Sequence, residues 1–124
     1  MTPTTINLRK KTQVLSLEFG DKHYELSAEF LRVHSPSAEV KGHGGQGGQL
    51  PAAKSHVKMI RIEAAGNYAI RIIFDDGHAS GLFTWDYLYT LCNQEKLLWE
   101  TYLINLNKAN KTRDPETSVL VFKP

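Results

Sequence analysis

From Val14 to Phe19 the chain alternates, with Leu15, Leu17 and Phe19 on one side and Ser16 and Glu18 on the other, the two-residue period of a half-buried strand. Gly20-Asp21-Lys22 turns the chain and residues 23 to 26 return, which predicts a hairpin with a three-residue loop. Ser27 is placed to cap a short helical turn carrying Glu29 near its positive end, with Phe30 and Leu31 as apolar contacts and Val33-His34 at its close. Ser35-Pro36-Ser37-Ala38-Glu39 reads as a second capped turn, since serine before proline suits the Ncap and N1 positions. Two β-branched runs, residues 57 to 63 and 68 to 74, flank Ala64-Ala65-Gly66-Asn67 and predict paired strands. In the second run Tyr68, Ile70, Ile72 and Phe74 share one face and Arg71 and Ile73 the other, the pattern of a strand inside a sheet. Asp75-Asp76-Gly77-His78 then supplies a tight turn, with Asp76-Gly77 suited to type I′, before a third strand over about residues 79 to 83.

Thr84 is a candidate N-cap and Asp86 lies where a helix dipole favours a carboxylate, so a long helix starts at Trp85. Leu88, Leu91, Glu95, Leu98, Tyr102 and Leu106 recur at three or four residues, and Cys92, Trp99 and Leu103 widen that stripe to a face able to cover a sheet. Glu95 alone breaks it. Residues 1–13 lack a sustained apolar period and read as a mobile tail; residues 108–124 read as a polar tail in which residues 117 to 122 form an edge strand or stay loose. The domain spans residues 14–107 and is α+β: a mainly antiparallel sheet with an N-terminal hairpin, short helical turns and one long C-terminal helix packed on the sheet.

The 124 residues suit one domain, and 41% hydrophobic with 23% charged residues is the composition of a chain that folds in water. No window approaches a membrane span and the N-terminus has no apolar core of a secretory signal, which points to the cytoplasm. One cysteine, Cys92, excludes an internal disulfide and any all-cysteine metal site within one chain. A formal charge of +2 is too even to predict nucleic-acid or membrane binding. Tyr87, Tyr89, Arg61 and Arg71 offer stacking and charge, yet aromatics around Trp85 serve more simply to anchor the helix to the sheet.

Candidate chemistry is sparse. Gly48 to Ser55 departs from a phosphate-binding loop only at Ala53, but a strand follows where a helix is required. Residues 42 to 48 hold five glycines, whose ordering carries a high entropic cost. Five histidines (His23, His34, His43, His56 and His78) lack diagnostic metal spacing, and His23-Tyr24-Glu25 is the nearest approach to an iron motif. Asp75, Asp76, His78 and Asp86 form the densest acid–base group, on the expectation that the turn and the helix start come together. Asp76 serves the turn and Asp86 the dipole, which leaves Asp75 and His78 without a full structural duty. Cys92 lies at the apolar helix face, where a thiol is inert packing.

In order and spacing, residues 31 to 46 (LRVHSPSAEVKGHGGQ), 62 to 78 (IEAAGNYAIRIIFDDGH) and 80 to 91 (SGLFTWDYLYTL) resemble the gamma-butyrobetaine hydroxylase-like N-terminal domain family, a domain of unknown function, over about residues 14 to 106. The resemblance is to its standalone bacterial form. In larger members this domain precedes the catalytic barrel of iron and 2-oxoglutarate hydroxylases, and here one helix and a tail follow Trp85-Asp86-Tyr87, too little for such a barrel, so hydroxylase activity is not implied. Other members are fused to a Mrp-type P-loop ATPase of iron-sulfur transfer, which implies a helper of such a carrier. The hydroxylases' domain binds zinc through three cysteines and a histidine. Aligned on Leu31-Arg32, the cysteines fall on Ser35, Ser37 and Val40 and the histidine on His78, so one of four ligands remains.

The resulting expectation is a non-catalytic accessory or protein-binding module linked to iron-sulfur or cofactor metabolism, with no cofactor of its own. Its partner is a protein, such as a Mrp-type ATPase or iron-sulfur carrier. Its interaction surface takes in Arg32, Ser35, Ser37, Glu39, His43, Asp75, Asp76, His78, Trp85, Asp86 and Tyr87. One alternative is a zinc or iron site using His78 with His43; another is a small acid–base enzyme using Asp75 and His78.

Overall fold

Strand alternation sets the frame of the computed structural model, which describes residues 1–36 and 50–122. Among these, β1 (Thr5–Arg9), β2 (Val14–Phe19) and β3 (Lys22–Ser27) form one antiparallel sheet in that order. A second antiparallel sheet has the order β4 (Met59–Ala65), β5 (Ala69–Phe74), β6 (Ala79–Thr84). Two helices complete the described fold, α1 (Ala28–Val33) and α2 (Trp85–Lys108). The α+β class and the central place of β5 are as the patterning predicts.

The core lies where the two sheets and helices meet. Leu15, Leu17, Phe19 and Leu26 from the first sheet and Ile70, Ile72, Phe74 and Phe83 from the second pack with Phe30, Leu31, Leu88 and Leu91. Gln13, at φ +57°, ties the sheets through its side-chain amide: Oε1 accepts from the Met59 N–H at 2.6 Å and Nε2 donates to the Met59 carbonyl at 3.4 Å.

Three readings change. Residues 5 to 9, assigned to a tail, are strand β1, because Ile6 and Leu8 are half-buried against the core while Thr5, Asn7 and Arg9 face water; two apolar positions are too few to show as a period. The first hairpin has a two-residue loop, Gly20-Asp21, with Gly20 at φ +65°. The β5–β6 loop is the four residues Asp75–His78, not a type I′ turn, since only Gly77 takes positive φ (+83°) and Asp76 is held by side-chain bonds. The expected second turn at residues 35 to 39 and the glycine stretch 42 to 48 lie outside the described residues from 37 onward.

Thr84 caps α2 by accepting from the Tyr87 N–H at 3.2 Å, and Leu88, Leu91, Cys92, Tyr102 and Leu106 are buried along it. Leu103, counted in the stripe, is exposed, and Glu95 is half-buried. The helix ends in a Schellman arrangement: Lys111 N–H bonds the Leu106 carbonyl, Asn110 N–H that of Asn107, and Asn110 takes φ +57°. No strand forms over residues 117 to 122; the chain after α2 instead runs back over residues 53 to 55, with Ala53 N–H on the Thr112 carbonyl and Ser55 N–H on that of Arg113. Among the described residues no helix is long and apolar enough to cross a membrane.

Candidate functional site

The helical stop at Val33-His34 delivers Ser35 beside the β5–β6 turn. Ser35 is fully buried, and its Oγ lies 2.9 Å from Nε2 of His78, a hydrogen bond between the two family positions expected to carry a cysteine and a histidine in zinc-bearing relatives. Just before it, buried Arg32 donates from Nε to Oδ2 of Asp76 at 2.9 Å, and Lys54 Nζ reaches the same oxygen at 2.9 Å. The other carboxylate oxygen of Asp76 accepts from the His78 N–H at 3.2 Å, closing the turn. Burial alone raises the Asp76 pKa, but hydrogen bonds from Lys54 and Arg32 and their charge outweigh it, so the carboxyl sits below its ordinary value.

Asp75 has the structural duty its sequence context left open. Its Oδ1 accepts from the Lys58 N–H at 2.9 Å and its own N–H donates to the Lys58 carbonyl at 2.9 Å, lacing the turn to the entry of β4. His78 is likewise engaged, through Ser35 and against the Phe74 ring at 6.1 Å. Lys54, the lysine of the near-phosphate-loop, is thus directed at a carboxylate, and no helix follows it.

Asp86 does not join this group. The six residues of β6 separate the turn from the start of α2, roughly 20 Å at strand rise, so the expected cluster of four splits between the two ends of one strand. At the far end the Trp85 indole donates to the Asn67 carbonyl at 2.6 Å, and Asp86, its side chain 91% exposed, pairs with the N-terminal ammonium at 3.1 Å. Tyr87 is half-buried: its hydroxyl donates to the His34 carbonyl at 2.6 Å and burial raises its pKa. The structure thus divides the residues of the predicted surface. Arg32, at 7% exposure, and Ser35 lie beneath it because their polar atoms face the turn, and Trp85 and Asp86 form a separate patch. Ser37, Glu39 and His43 lie outside the described residues.

The donors present do not fit a zinc tetrahedron: a serine hydroxyl holds the first position, the sequence has Ser37 and Val40 at the next two, and His78 Nε2 is hydrogen-bonded to that hydroxyl. Among the described residues no group of three or more His, Cys, Asp or Glu side chains gathers as a metal site. His23 lies 3.7 Å from Glu25 and 3.8 Å from Glu18, all three exposed on the first hairpin. Burial, aided by the charge of Glu95, pushes the Cys92 thiol up to about 12, which keeps it un-ionised.

Two features escaped the sequence reading. Gly81 on β6 passes so close to the Pro36 carbonyl that a Cβ there would collide with backbone. Glu29 is bound by Arg113 through two hydrogen bonds of 2.8 and 2.7 Å across 84 positions, for which no local pattern gives a signal.

Comparison with known proteins agrees with the fold. No curated protein matches the chain. A protein solved by NMR in solution is 50% identical, with a TM-score of 0.83 over 98% of this chain and 96% of its own. A second NMR structure is 38% identical, with a TM-score of 0.77 over 99% and 92%. A crystal structure of a DUF971-family protein of unknown function from Acidithiobacillus ferrooxidans is 31% identical, with a TM-score of 0.59 over 73% and 91%. The model of the gamma-butyrobetaine hydroxylase-like N-terminal domain matches residues 6–89, from β1 into the second turn of α2. With that match covering more than half of its length, and a solved DUF971-family structure 31% identical to it, the chain belongs to the gamma-butyrobetaine hydroxylase-like N-terminal domain family.

Proposed function

We propose that this domain is a non-catalytic protein-binding module whose contact surface is the β5–β6 turn, Asp75–His78. One observation carries the reading: Arg32, Ser35, Lys54 and Lys58 bond the turn from four places in the chain, so its polar groups are fixed against each other. Such bracing gives a preorganised surface, which lowers the ordering cost of association. It also leaves the acid–base pair Asp75 and His78 engaged in intramolecular bonds. Arg32 and Ser35 act as supports beneath the surface rather than as contacts.

The partner class rests on the family resemblance: a Mrp-type P-loop ATPase or another iron-sulfur carrier. The test is an NMR titration of the full-length chain with the Mrp-type ATPase of the same organism. Saturable shifts centred on residues 75 to 78, weakened at least about tenfold by Asp75→Lys, support the reading, since an interface charge reversal of that size costs about 1.4 kcal/mol or more. Absence of binding, or shifts that leave the turn untouched, would refute it.

A further inference from the structure

The strongest ion pair away from the turn joins the segment after α2 to the first helix. Glu29 is nearly buried, its side chain 8% exposed, yet it carries a carboxylate that only Arg113 meets among the charged contacts described. Arg113 lies with its guanidinium 5.0 Å from the centroid of the Trp99 ring and donates from Nε and one Nη to the two carboxylate oxygens of Glu29. The notch therefore combines a flat aromatic face with a two-pronged acceptor, the geometry that selects a planar guanidinium over a lysine ammonium. A hollow lined by Thr12, Ser27, Ser55, Val57 and Trp99 surrounds it, and Arg113 itself is 45% exposed, so the mouth opens to solvent.

We propose that the Glu29–Trp99 notch is a guanidinium-binding site, held in this structure by the chain's own Arg113 and able to accept an arginine side chain from a protein partner. Arg113 sits on an irregular segment pinned to the body by two backbone hydrogen bonds, from Ala53 and Ser55. Beyond Thr117 the described chain has no regular structure, and Leu120 and Phe122 are largely exposed. The segment is thus a displaceable occupant, whereas the notch is built from two helices. A buried carboxylate without its cation is strongly unfavourable, so the notch requires a replacement when Arg113 leaves. Tethering gives Arg113 an effective concentration on the order of millimolar, which an incoming arginine must overcome with further contacts. This site is separate from the turn surface and does not depend on it.

The test uses the full-length chain carrying Arg113→Ala and the peptide acetyl-Lys-Thr-Arg-Asp-Pro-Glu-amide, followed by NMR at the Glu29 amide and the Trp99 indole. The expected result is saturable binding by Arg113→Ala, at least about tenfold weaker binding by the wild-type chain, and loss of binding when the peptide arginine is lysine or when Glu29→Gln is added. Arg113→Gln, which retains a longer stem, takes the same titration should Arg113→Ala not fold. Absence of saturable binding, binding indifferent to Glu29→Gln, or failure of both variants to fold would each overturn the proposal, the last by making Arg113 a fixed staple of the core.

Discussion

Ser35 Oγ stands 2.9 Å from His78 Nε2, joining the end of α1 to the β5–β6 turn across 43 positions. In a zinc tetrahedron, a sulfur and a nitrogen ligand lie roughly 3.5 Å apart, from bond lengths of about 2.3 and 2.0 Å. The hydroxyl and imidazole here are closer than that and bond directly, so the contact itself links the two segments. Replacing Ser35 by Ala removes a buried hydrogen-bond partner and is expected to lower stability by about 1–2 kcal/mol, read as a lower urea midpoint with unchanged slope. A Ser35→Ala midpoint equal to wild type would show that the bond contributes nothing to holding the turn.

Asp76 is the more sensitive member of the same turn. It faces Arg32 and Lys54 together, and Arg32 is buried. Asp76→Asn removes the charge while leaving an amide in its place, and the stranded guanidinium is expected to cost about 2–3 kcal/mol, below the roughly 3–5 kcal/mol of a fully buried pair because Asp76 is partly solvated. Since the folded pKa lies below the ordinary 3.8, this contribution is present above that value and is lost as pH falls through the folded one. Wild type and Asp76→Asn should therefore converge in stability in acid, as measured by urea unfolding across a pH series.

What could be read from the chain was what depends on near neighbours. Ser27 and Thr84 cap α1 and α2 as the local pattern predicts, with Oγ accepting from Phe30 N–H at 3.1 Å and Oγ1 from Tyr87 N–H at 3.2 Å. A tight connection between β5 and β6 was also legible. Its internal assignment was not, because whether Asp75 and His78 are available or engaged is decided by Lys58 and Ser35, 17 and 43 positions away. The grouping of Asp86 with that turn failed for a simple geometric reason, the length of β6. Glu29 shows the same limit: dipole logic explains an acidic residue in the first turn of α1, but its charged partner, Arg113, lies 84 positions away.

Gly81 tests how tightly the Ser35-Pro36 segment is held. A methyl group at this position runs into the Pro36 carbonyl, and backbone cannot swing aside as a flexible side chain does. Gly81→Ala is expected to destabilise by about 1–3 kcal/mol, the range for overpacking a fitted contact, and to shift the amide resonances of Ser35 and His78. A variant as stable as wild type, with those resonances unmoved, would mean that residues 35 and 36 do not lie against β6 in solution.

His34 ties stability to pH in the neutral range. It closes α1, its ring lies 4.6 Å from that of Phe30, and its Nε2 is buried without a hydrogen-bond partner among the described residues. Burial disfavours the imidazolium and lowers the folded pKa from the ordinary 6.5. The unfolded chain then binds more protons than the folded one below that value, so the His34 contribution is fully present above about pH 6.5 and is lost as pH falls toward the folded pKa. His34→Phe keeps the ring contact and removes the titration. The expected outcome is a flatter dependence of unfolding free energy on pH below about pH 6.5 than in wild type, measured by urea titration. Curves that run parallel for the two proteins would locate the protonation elsewhere and leave His34 as packing alone.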